Sequence, residues 1–256
     1  MEQIFLKACA KLNLFLDITG KCENGYHLIK SVMQSVDIFD RVSVKKSSEI
    51  SVKCSESALD GENNLAHKAA ALFFGQTGIA GGAEIYIEKR IPMQAGMAGG
   101  SADAAAVLYG LNRLYEAKLS AEELCAMGAR LGADLPFCLC GGTMLCEGIG
   151  ERLSSLPELS DCFFVIVKPE IGMSTAESYR IYDEHEAAGL EHGDFSAMST
   201  ALEAENIQNV GKALYNALEC TVPDSVLKIK SALLKVGAEG ALMTGSGTAV
   251  FGIFQS

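Results

Sequence analysis

The segment that most limits what this chain can fold into is Pro92-Met-Gln-Ala-Gly-Met-Ala-Gly-Gly100, which runs into Ser101-Ala-Asp-Ala-Ala-Ala106. Before it, Ala83–Ile91 carries Ile85 and Ile87 on one face and predicts a strand. After it, the small-residue stretch Ser101–Tyr115 predicts a helix. Small side chains let a bound group approach the backbone. The free N–H groups and dipole at a helix start favour an anion there. The segment lacks G-x-x-x-x-G-K-[ST], so it is no Walker loop, and it lacks G-x-G-x-x-G after a first strand, so it is no Rossmann turn. A tight strand-to-helix turn is the plain alternative, but the loop is longer than packing requires. Phosphate binding is therefore expected along Pro92, Met93, Gln94, Ala95, Gly96, Met97, Ala98, Gly99, Gly100, Ser101 and Ala102.

Around this loop the chain mixes strands and helices. Leu12, Leu14, Leu16 and Ile18 alternate with other residues and predict an opening strand, with Lys11 and Asn13 on one face about 6.6–6.8 Å apart. A turn is expected at Glu23-Asn24-Gly25, then strands at Arg41–Lys45 and Ile50–Lys53, and a helix from Asn64 to about Phe74. Ser120-Ala-Glu-Glu123 reads as a capping box. Gly132 ends that helix and Pro136 is expected to keep it ended, which leaves Asp134 on a connection. Acidic and proline signals over Glu147–Pro157 predict a boundary, giving domains 1–155 and 156–256. Beyond it come a strand at Cys162–Lys168, helices at Ala201–Leu218 and Ser225–Leu234, and strands at Ala241–Met243 and Thr248–Phe254 around Thr244-Gly-Ser-Gly247. Regular βαβ alternation is missing, which favours α+β.

Charge narrows the partners. With 21 basic and 32 acidic residues the net charge is −11, so nucleic acid and anionic lipid are poor partners. Met1-Glu2-Gln3 does not begin a signal peptide, and the longest uncharged stretch is glycine-rich; no membrane span and a cytoplasmic location are expected. Nine cysteines, an odd number without C-x-x-C spacing, read as reduced thiols, with Cys138 and Cys140 in an apolar run. No metal site is expected from them.

Pro92–Ala105 resembles the phosphate-binding motif of the GHMP kinases, the superfamily of galactokinase, homoserine kinase and mevalonate kinase. Lys11-Leu-Asn-Leu14 and Met243-Thr-Gly-Ser-Gly-Thr-Ala-Val250 stand where that superfamily has its first and third motifs. Ala10–Leu14, Asn24-Gly-Tyr-His27 and Leu131-Gly-Ala-Asp-Leu-Pro136 resemble the branch that phosphorylates a cytidine diphosphate derivative. The likeness runs from about residue 7 to 254. The chain departs from the family at Met97, Ala98 and Ala102, where leucine, glycine and serine are usual, and at Cys9, where proline is frequent. An alanine where the backbone needs positive φ would be strained.

The resemblance implies a two-lobed α+β GHMP kinase fold with its active site in the cleft between lobes. It implies ATP as co-substrate, with Mg2+ held mostly by phosphate oxygens and water. It implies Lys11 and Asp134 as catalytic residues: phosphoryl transfer needs a positive group at the transferring phosphate and a carboxylate for the attacking hydroxyl. Lys89 and Asn64 would line the ATP side. Tyr26 and Tyr179 would sandwich the cytosine, with His27 contacting it and Asn13 and Thr175 hydrogen-bonding the substrate. His67, His185 and His192 read as structural or solvated. The alternatives are another GHMP kinase, of homoserine or mevalonate type, or a catalytically silent binding protein on the same fold. Oligomeric state is left open.

Overall fold

A computed structural model describes residues 2–23, 25–186, 191–220 and 222–255. Asn24, in the expected turn, lies outside the described residues. In chain order the elements are β1 (Gln3–Lys21), β2 (His27–Ser47), β3 (Ser51–Cys54), α1 (Leu65–Thr77), β4 (Gly82–Glu88), α2 (Gly99–Leu114), α3 (Ala121–Ala129), α4 (Leu135–Cys140) and β5 (Thr143–Gly148). They continue with β6 (Arg152–Ser155), β7 (Cys162–Val167), α5 (Thr175–Glu186), α6 (Phe195–Glu203), α7 (Ile207–Ala213), β8 (Tyr215–Asn216), α8 (Asp224–Lys235), β9 (Gly240–Met243) and β10 (Val250–Gln255). This is the α+β mixture that the sequence predicts.

The chain divides into two compact units that interleave along the sequence. One takes residues up to Lys11, Ser35–Pro92 and Ala98–Gly141; the other takes Leu12–Gln34, Met93–Met97 and the chain from Gly142 onward.

In the first unit β4 lies between β3, parallel to it, and the second half of β2, antiparallel to it, with Ile85 opposite both Val52 and Val44. Helices α1 to α4 pack on one another beside this sheet. Ala66, Ala69 and Ala70 of α1 and Ala104 and Ala105 of α2 are fully buried, and side chains this small let helix backbones approach closely. Gly110 lies so near the sheet that a Cβ there would stand 2.9 Å from Leu6 Cδ1. The predicted capping box is present: Ser120 Oγ accepts from Glu123 N–H and the Glu123 carboxylate accepts from Ser120 N–H. Pro136 behaves differently from expectation. It stands in the first turn of α4, where its missing N–H costs nothing, and Asp134 is the residue just before that helix. The connection bearing Asp134 is therefore the short link from α3 to α4.

In the second unit β1 pairs in parallel with β8 at Phe15 and Leu16, while the first half of β2 pairs antiparallel with β5, and β5 with β6. A separate antiparallel sheet has the order β7-β10-β9. Leu16, Ile18, Ile29, Tyr182, Leu218, Val226, Leu233 and Met243 form the core there. The long helix expected over 201–218 is broken: α6 ends at Glu203, Asn206 caps α7, and Tyr215–Asn216 form β8. Cys140, expected in an apolar interior, is exposed, whereas Cys54 and Cys146 are buried. Among the described residues no helix is long and apolar enough to cross a membrane.

Candidate active site

The first unit gathers one set of the predicted residues at the start of α2. Gly99 begins the helix, and a Cβ there would stand 3.2 Å from Ile91 Cγ2 and 3.4 Å from Lys89 Nζ. At Gly100 a Cβ would meet nothing within 4 Å. A Cβ on Gly132 would lie 3.8 Å from Ser101 Oγ, so the helix start adjoins the connection that carries Asp134, two residues on. Ala98, the N-cap, has φ 57° and ψ 29°, the left-handed conformation that the family's glycine suits better. Ala102 is buried. Lys11, the last residue of this unit, is only 4% exposed, which is rare for a lysine.

Lys89 is not a solvated lysine. Its ammonium donates to Asp40 and, at 2.6 Å, to Asp103 Oδ2. Asp40 also accepts from the backbone N–H groups of Arg90 and Ile91, which ties the end of β4 to β2. Burial would lower the Lys89 pKa, but the Asp103 and Asp40 carboxylates together leave it raised. Burial pushes Asp103 up to about 7; Lys89 opposes this and Asp40 reinforces it. Two carboxylates around one ammonium leave a surplus negative charge that the interior disfavours. Asp103 Oδ1 is buried and has no hydrogen-bond partner among the described residues. Asn64 caps α1, accepting from Ala66 N–H at 2.8 Å and donating to the Leu59 carbonyl at 2.9 Å.

The second unit joins the three motifs at one place. Asn13 N–H donates to Thr244 Oγ1 at 2.9 Å, and the Asn13 carboxamide donates to Ser31 Oγ at 2.8 Å. Gly96, with φ 72°, lies against the same loop, where a Cβ would stand 2.1 Å from the Thr244 carbonyl oxygen. Only glycine fits there. Asn216 holds this loop from the other side through the carbonyls of Met243 and Gly245, each at 2.8 Å. Of the neighbouring loop residues, Ala95 and Met97 are buried, Met93 is exposed, Pro92 is half-buried, and the side chain of Gln94 approaches Gly172.

The same unit forms an aromatic cluster. His27 stacks on Tyr179 with ring centroids 4.6 Å apart and 20° between planes, and meets Tyr182 edge-on. Tyr26 is 60% exposed. The structure thus brings His27, rather than Tyr26, onto Tyr179. Thr175, at the start of α5, shares a hydrogen bond with Ser246 at 3.1 Å, and Ser178 Oγ donates to the Ser246 carbonyl at 2.9 Å. Sequence reasoning missed Asp40, Asp103, Ser31, Asn216 and Asp183. A helix over 175–186 would have exposed the last, four residues after Tyr179 and so on its face.

Comparison with known proteins shows the family. The model of the GHMP kinases N terminal domain matches residues 64–142, and that of the GHMP kinases C terminal matches residues 198–256. A crystal structure of L. major mevalonate kinase shares the fold, with a TM-score of 0.78 at 16% identity over 100% of this chain and 89% of that one. Fold and motifs together define a GHMP-type kinase, an enzyme that uses ATP on a small molecule. Within that class the similarity is much higher to one group. A 4-diphosphocytidyl-2-C-methyl-D-erythritol kinase from Clostridium tetani is 44% identical, covering 97% of this chain and 90% of the relative. The one from Carboxydothermus hydrogenoformans is also 44% identical, covering 97% and 88%. A crystal structure of 4-(cytidine 5'-diphospho)-2C-methyl-D-erythritol kinase superposes with a TM-score of 0.82 at 33% identity, over 97% of this chain and 89% of that one. The chain belongs to the 4-diphosphocytidyl-2-C-methyl-D-erythritol kinase family.

Proposed function

We propose that this chain transfers the γ-phosphoryl group of ATP to the 2-hydroxyl of 4-diphosphocytidyl-2-C-methyl-D-erythritol, a step in making isoprenoid precursors without mevalonate. One observation carries the reading: Ser101, in the first turn of α2, adjoins Gly132 at the head of the Asp134 connection. A helix N-terminus that suits phosphate and a carboxylate that suits a hydroxyl proton then serve one reaction. In this reading the oxygen of the alcohol attacks the γ-phosphorus, ADP leaves, and Asp134 takes the proton. Lys11 neutralises charge on the transferring group. Residues 92–102 cradle the phosphates, and Lys89 and Asn64 support the ATP side through the ties already described. The cytosine is held by Tyr26, His27 and Tyr179, and Asn13 and Thr175 bond the rest of the substrate. In the same reading the ATP-binding and catalytic residues belong to a domain that ends near residue 155, with a C-terminal domain after it.

Mg2+ belongs to the same proposal. Among the described residues no three His, Cys, Asp or Glu side chains form a metal cluster. An ion bound mainly through phosphate oxygens and water needs few protein ligands, and the Ser101 hydroxyl, beside the connection that carries Asp134, is an oxygen donor that would hold it. When bound, the ion would neutralise charge on the transferring phosphate. Measured ADP release with 4-diphosphocytidyl-2-C-methyl-D-erythritol, homoserine and mevalonate as acceptors tests the reading. Release with the cytidine compound alone supports it, and preference for either of the others refutes it.

A further inference from the structure

The stacked His27 ring has a partner that the reaction does not explain. His27 Nε2 lies 2.6 Å from Asp183 Oδ1, and the other oxygen of Asp183 accepts from Lys21 Nζ at 2.6 Å. The His27 side chain is 9% exposed, the Asp183 side chain 34% and the Lys21 side chain 49%. Asp183 and Tyr179 stand four residues apart on α5 and so share a face. One helix face therefore supplies both the surface under the imidazole and the group at its edge.

We infer that Asp183 is the positioning residue of the base subsite, holding His27 so that its other ring nitrogen selects cytosine over uracil. The inference rests on the reading of His27 and Tyr179 given above. The Lys21 ammonium, helped by His27, holds the Asp183 carboxyl below the usual carboxylate range. An ionised carboxylate has no proton to donate, so the proton in the bond to Nε2 is the imidazole's. In the neutral ring Nδ1 is then an acceptor. An acceptor suits the exocyclic amine of cytosine and is repelled by the carbonyl that uracil carries at the same position. Tyr179 fixes the plane of the ring, and Asp183 fixes its rotation and tautomer. A purely structural role, tying α5 to the end of β1, would run through Lys21 instead. The two oxygens of Asp183 separate the two roles.

Calorimetric titration with CDP and with UDP tests this, on wild type, Asp183→Ala, Asp183→Asn and Lys21→Met, alongside KM for ATP. Wild type should prefer CDP. Asp183→Ala should weaken CDP binding about tenfold and bring the two nucleotides close to parity, with KM for ATP within about twofold. Asp183→Asn keeps the shape of the side chain and should move the same way by less, which guards against a misfolded alanine variant. Lys21→Met should keep the wild-type preference. A preference for CDP that survives both Asp183 substitutions, or that Lys21→Met abolishes equally, overturns the positioning role and leaves the kinase reading intact. A wild-type protein that binds neither nucleotide overturns both.

Discussion

Ala98 occupies a backbone conformation that an L side chain enters at a cost of roughly 1–2 kcal/mol. Its neighbours fix that conformation, because α2 begins at the next residue and Gly96 is pressed against the Thr244 carbonyl. Glycine would relieve the cost while adding some freedom to the unfolded chain. Ala98→Gly should therefore stabilise the protein by about 0.5–1 kcal/mol, read as a rise of about 1–3 °C in Tm. A lower Tm would mean that the methyl group makes contacts worth more than the strain. The departure at this position was legible in the sequence, since Ala98 stands where glycine is usual. The buried charges were less so. Lys89 stood out, but its carboxylates lie 49 and 14 residues away along the chain, and no local pattern joins Asp40 to Asp103.

Among the elements, α2 carries the phosphate-binding claim. Gly100 is an exposed position in its first turn, and a Cβ there meets open space. The fold thus has no need of glycine at this site, and alanine is the better helix former by up to about 1 kcal/mol. Gly100→Ala should leave Tm unchanged or slightly raised and raise KM for ATP about tenfold, because a methyl group would stand where phosphate oxygens meet the backbone. Unchanged KM would remove the helix start from the ATP site. Elements with local signals were readable: the strand before the loop, α2 itself, and α3 with its capping box. Those set by distant partners were not. The first half of β2 is covered on both faces at Ser31, Val32 and Met33, so its sequence shows no clean alternation. β8 is two residues long and exists through pairing with Phe15 and Leu16. Pro136 is compatible with either a helix stop or a helix start, and only the fold decides.

For the whole molecule, the two units share β1 and β2, and even the loop before α2 is divided, with Met93–Met97 in one and Ala98 onward in the other. Such interleaving leaves no compositional mark, which is why the motifs were easier to read than the units. By the proposed function, this chain makes a phosphomonoester on the cytidine substrate with Asp134 as the base. Phosphorus NMR of the reaction with ATP measures this directly. Wild type should form a new phosphomonoester in step with ADP while the diphosphate bridge to cytidine stays intact. Asp134→Asn should form the same product roughly two to four orders of magnitude more slowly. ADP formed without the monoester, a cleaved bridge, or an Asp134→Asn enzyme retaining more than about a tenth of the wild-type rate would contradict it.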